Sequence, residues 1–106
     1  METWQGATQS DREIYIVIKM IFHSHPKLLD FFFDKVHARL RYEPMKMLKA
    51  LGALSGGEQI LVRIAMDVWS GSGNAKLWRI LEILDDQSLS NTLNALKILR
   101  RLRPFE

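Results

Sequence analysis

Three histidines, His23, His25 and His37, lie close together in the chain, with Asp30 and Asp34 between them. These are metal-ligating types. Asp34 and His37 stand three residues apart, which on a helix puts an oxygen and a nitrogen ligand on one face. A plainer arrangement accounts for the same letters. His25 falls in a turn before Pro26, and His37 is a surface residue paired with Asp34. No metal and no cofactor are expected. The sequence has no cysteine, which removes disulfides, thiolate sites and a cysteine nucleophile. Serines are plentiful, but none stands in a nucleophile elbow and nothing marks a His–Asp partner for one. The expectation is no catalytic residue and no enzyme.

The string LSGGEQ, Leu54 to Gln59, is similar to the signature motif of ABC-type ATPases. That motif works with a G-x-x-x-x-G-K-[ST] phosphate loop behind a strand and with an acidic residue for magnesium. Neither the loop nor an alternation of strands and helices occurs in this chain. The same letters spell a helix start. Ser55 is placed to cap, and Glu58 stands where it reaches back to the cap residue. Gly56 and Gly57 form helices poorly, so the expectation is that they let this first turn approach a neighbouring helix.

A second chemistry is nucleic-acid recognition. The segment LWRILEILDDQSLSNTLNALKILRRLR reads as helix, short turn, helix. Gln87 and Asn91, with Ser88, Ser90 and Asn94, are types that contact base edges, and Arg100 and Arg101 would hold phosphates. Asp85 and Asp86 stand where the motif would approach the backbone and would repel it. The arginines fall at the far end of the helix, and the turn lacks a glycine.

A third is partner binding. Phe31, Phe32 and Phe33 sweep 200° of a helix at 100° per residue, so one ring is left off the core face. Trp69 and Trp78 flank SGSGNAK. Lys35, Arg39, Arg41, Lys46 and Lys49 share a stretch whose one acid is Glu43. The expected partner-binding residues are Phe31, Phe33 and Trp78, with Arg39 and Lys46 from the basic strip.

The elements that must carry these residues are all helical by pattern. Ser10 and Glu13 read as a capping box before a stripe of Ile14, Val17, Ile18 and Ile21. Pro26 opens a second helix expected to run to Arg41, with Leu29, Phe32, Phe33, Val36 and Leu40 on one face. Pro44 opens a third through Met45, Leu48 and Leu51, stopped by Gly52. Ser55 opens a fourth with Leu61, Ile64, Ala65 and Val68 inward, and SGSG ends it as a flexible joint. Asn74 caps a fifth with Leu77, Ile80, Leu81 and Leu84 inward. Residues 87 to 102 make a sixth with Leu89, Leu93, Leu96 and Ile98 or Leu99 as its apolar side.

The predicted fold is therefore all-α. It is a single compact domain of five or six short helices, bundle-like or orthogonal, over residues 10–104, preceded by a flexible N-terminal segment, 1–9. No apolar run approaches the ~20 residues that cross a bilayer, so no membrane partner is expected. The opening METWQGATQS lacks the basic cluster and apolar run of a secretion signal, and a cytoplasmic location is the expectation. The net charge of +3 is weakly basic and selects no partner class. The preferred function is a non-catalytic helical protein-interaction module whose partner is a second copy or another protein, with a homo-oligomer expected. The alternative is a small helix-turn-helix-like DNA-binding regulator using residues 74–103.

Overall fold

The structure, a computed structural model, describes residues 4–103. Six α-helices follow one another: α1 (Gln9–Ile21), α2 (Lys27–Phe32), α3 (Pro44–Ala50), α4 (Gly56–Ser70), α5 (Leu77–Ile83) and α6 (Asp86–Leu102). A 3-10 turn, Leu51–Ala53, extends α3. Among the described residues the extended pairings are two isolated bridges, Gln5 with His37 and Phe33 with Leu40. The all-α class follows directly, and the radius of gyration of 13.1 Å is that of a packed chain of this length.

The caps explain most of the boundaries. α4 starts as its sequence demands: the Glu58 N–H donates to the Ser55 hydroxyl, and the Ser55 N–H donates to the Glu58 carboxylate. It ends at Gly71, whose positive φ of 71° is open to glycine and costly for a side chain. At α1 the capping box is Thr8 with Asp11, two residues ahead of the Ser10–Glu13 box expected. The chemistry is the same; TQSDRE contains both pairs, and the earlier one adds half a turn of helix. Asp85 caps α6 by accepting from the Ser88 N–H at 2.7 Å.

α2 is the largest departure from the sequence pattern. It stops at Phe32 instead of running to Arg41. Asp34 is the cause. Its carboxylate accepts the Val36 and His37 amides at 2.7 and 2.8 Å, a local turn that competes with helix. The chain then folds back, with Arg41 N–H on Phe32 O and Asp34 N–H on Arg39 O. Val36, expected inside, is exposed.

α4 is the central element and packs on α1, α2 and α5. α6 lies antiparallel along α1: Asn91 donates to Ser24 at one end, and Arg103 reaches Ser10 at the other. The α1 face is Val17, Ile18 and Ile21, as its spacing implied. The facing residues of α6 are Ser88, Thr92 and Ala95, while Leu93 and Leu96, expected to pack, are exposed. Small residues let the α6 backbone approach the branched face of α1, and a leucine row would hold it off. In α3 the buried residue is Met47, and Met45 is exposed.

The N-terminal segment, expected to be flexible, is built into the fold over residues 4–8. Trp4 is 5% exposed, and its indole N–H donates to Asp34 O. Its ring packs against Tyr15, Phe33 and Trp69 at centroid distances of 5.4, 5.3 and 6.1 Å. Gln5 exchanges backbone hydrogen bonds with Val36 and Ala38. Residues 1–3 of that segment, and Pro104 at the other end of the expected domain, lie outside the described residues.

Candidate interaction surface

Of the three expected aromatic anchors, one is at the surface. Phe33 is 4% exposed, inside the cluster formed with Trp4, Tyr15 and Trp69, and is therefore excluded as an anchor. The extended turn that ends α2 carries its ring inward, and the same side chain lay on the apolar face of the expected helix. Phe31 is half-buried against Tyr42. Trp78 is 75% exposed.

Trp78 has company that the sequence pattern assigned to the interior. On α5, Leu77 is 70% and Leu81 55% exposed. Leu77, Trp78 and Leu81 share one side of the helix, and Trp78 and Leu81 line a shallow apolar hollow with Glu82. The other side, Ile80, Ile83 and Leu84, faces the core. Apolar residues thus cover roughly 220° of the helix circumference at 100° per residue. A helix seven residues long, packed mainly on α4, leaves part of such an arc in water. The signal was present in the letters LWRILEIL, six of whose eight residues are apolar: too many for one buried stripe.

The loop that presents α5 is tightly held, against the expectation of a flexible joint. The Asp67 carboxylate accepts three successive amides, those of Gly73, Asn74 and Ala75, at 2.9, 3.1 and 2.9 Å. The Arg63 guanidinium donates to Gly73 O at 3.0 Å. Gly73 is pressed against α4 so closely that a Cβ there would stand 1.8 Å from Arg63 O. Asn74 does not cap α5; it takes a positive φ of 48°, which asparagine tolerates, and Lys76 is the cap residue.

Arg39 and Lys46, the expected basic contacts, are exposed. Arg39 is tied to Asp34 at 3.3 Å. Asp34 also stands 3.5 Å from His37, with its pKa lowered to about 2 by the His37 and Val36 amides first and by Arg39 after them. Both Asp34 oxygens are thus engaged within the turn. Among the described residues no three His, Asp or Glu side chains come together.

The four nucleic-acid candidates are split. Gln87 donates to Asn91, and Asn91 donates to Ser24, so both amides are engaged within the fold. Arg100 and Arg101 are exposed at the opposite end of α6, about 20 Å away at 1.5 Å per residue. The two glycines of LSGGEQ are not in a close approach: a Cβ at Gly56 would meet Ile83 at an ordinary 3.8 Å, and at Gly57 it would meet nothing. The string is a capped helix start, and no steric demand explains its glycines.

No helix among the described residues is long and apolar enough to cross a membrane. No family model matches the chain, and no curated protein or solved structure matches it either.

Proposed function

We propose that this chain is a non-catalytic, cytoplasmic helical interaction module that self-associates through α5. One observation carries the reading: a short helix leaves Leu77, Trp78 and Leu81 in water on one side. Large apolar residues clustered at a surface are the usual anchors of an interface. A second copy is the occupant this face favours, because the face is apolar and complementary to itself in an antiparallel pair. Arg79 and Glu82, three residues apart on the polar side of α5, are paired with each other at 2.6 Å and leave no net charge beside it. Antiparallel pairing of two α5 helices about a two-fold axis near residue 79 sets Leu77 of each copy against Leu81 of the other, while each Arg79–Glu82 pair stays within its own helix. The cytoplasmic assignment leans on the cysteine-free sequence. The DNA-binding alternative draws less support, because Gln87 and Asn91 are engaged within the fold and Asp85 and Asp86 head α6.

Sedimentation velocity tests the proposal. The 12.3 kDa chain is expected to run at twice its mass, and Trp78→Glu with Leu81→Ser is expected to run as a folded monomer. A parent chain that stays monomeric at its highest soluble concentration removes self-association from consideration.

A further inference from the structure

On the polar flank of α5 the held loop borders a cleft of ≈ 330 Å³ between α4 and α5. Its lining is Gln59, Ile60 and Arg63 from α4, Asn74 and Lys76 from the loop, and Arg79 from α5. Three of these six are cations, two are amides, and none is an acid. Two carboxylates on the same helices are engaged: Asp67 with the loop amides of Gly73, Asn74 and Ala75, and Glu82 with Arg79. Counting both carboxylates against the three cations, the cleft keeps an excess of one positive charge.

The cleft is also preorganised. Arg63 is fixed by its bond to Gly73 O and keeps further N–H groups for a ligand. The loop cannot drift from α4, because it is pinned by Asp67 and because Gly73 lies against Arg63 O. Asn74 is held in its left-handed conformation by the Asp67 carboxylate, which accepts its N–H at 3.1 Å. A volume of this size admits a small molecule. With one apolar residue in the lining, it offers little to an apolar ligand and much to an anion.

We propose that the cleft between α4 and α5 binds a small phosphate-bearing molecule, with Arg63, Lys76 and Arg79 meeting the phosphate oxygens and Gln59 and Asn74 meeting its hydroxyl or carbonyl groups. Guanidinium groups pair phosphate oxygens through two parallel N–H bonds, and an ammonium adds a point charge. The site is separate from the apolar face, so it holds or fails independently of self-association.

The test is a titration of the full chain with inorganic pyrophosphate, and separately with glucose 6-phosphate, at fixed ionic strength. It is followed by the ¹⁵N–¹H signals of Gly73, Asn74, Ala75 and the Arg63 side chain. Saturable shifts confined to these signals are expected. Lys76→Gln with Arg79→Gln should weaken pyrophosphate binding by about tenfold or more, the loss of at least one charge-assisted hydrogen bond. Lys97→Gln with Arg100→Gln on α6 should leave it unchanged. If the double variant in the cleft misfolds, Lys76→Gln alone carries the comparison. Three results would each overturn the proposal: shifts that do not saturate, shifts spread equally over α6, or a cleft variant that binds like the parent. Movement of these signals with a short DNA duplex but not with either phosphate would overturn it too.

Discussion

Asp34 ends α2, shapes the following turn and anchors the N-terminal segment through its carbonyl. Its charge is what the turn requires, because two amides and Arg39 all donate to it. The amide hydrogen bonds are the main reason its pKa falls from 3.8 to about 2. Glu58 and Asp85 are lowered in the same way, by the Ser55 and Ser88 amides respectively. Because these folded values lie below the unfolded ones, the stability they contribute is complete above the ordinary carboxylate range and fades as pH falls through the lowered values. Thermal melts from pH 7 to pH 2 should therefore show a falling midpoint below about pH 4. Asp34→Asn should lower the midpoint at neutral pH and flatten that acid dependence. A variant whose midpoint tracks the parent at every pH would show that the Asp34 charge contributes nothing. This residue was visible in the sequence, but as a helical partner of His37. Nothing local announced that its side chain would outcompete the helix, since the fold-back it stabilises is secured by the distant Trp4.

Element by element, beginnings were easier to read than inward faces. Caps are local: a hydroxyl and a carboxylate three residues apart settle where α4 starts, whatever surrounds it. Two glycines in and beside this helix are predicted to behave oppositely. Gly57 lies in the first turn with open space at its Cβ position, so Gly57→Ala should stabilise by about 0.5–1 kcal/mol. Gly73 is in contact with Arg63 O, so Gly73→Ala should cost about 1–3 kcal/mol as the loop is forced off α4. Urea denaturation of both variants checks the pair, and equal effects of one sign would contradict the geometry. The inward faces of α5 and α6 differ from the expected ones for one reason. Helical spacing identifies which residues share a side, but both helices carry apolar residues on more than one side. The side that faces inward depends on the neighbour: α1 admits the small residues of α6, and α4 takes Ile80, Ile83 and Leu84.

For the whole molecule, the aromatic cluster of Trp4, Tyr15, Phe33 and Trp69 joins the N-terminal segment, α1, the end of α2 and α4. Trp4→Ala should cost about 3–5 kcal/mol, a large part of the ~5–15 kcal/mol that folds a domain of this size. The loss should appear as a lowered denaturation midpoint, with amide exchange at residues 36–38 accelerated first. A change under about 1 kcal/mol would mean that the segment is dispensable. From the sequence alone came the helical class, a count of five or six helices, the cap at Ser55 and the end of α4 within SGSG. Each rests on residues within a few positions of one another. The tertiary structure alone decided that Trp4 is core, that Leu77 and Leu81 are surface beside Trp78, and that Arg63, Lys76 and Arg79 border one cleft. Those outcomes depend on which elements compete for the same buried space, and that competition is settled between residues far apart in the chain.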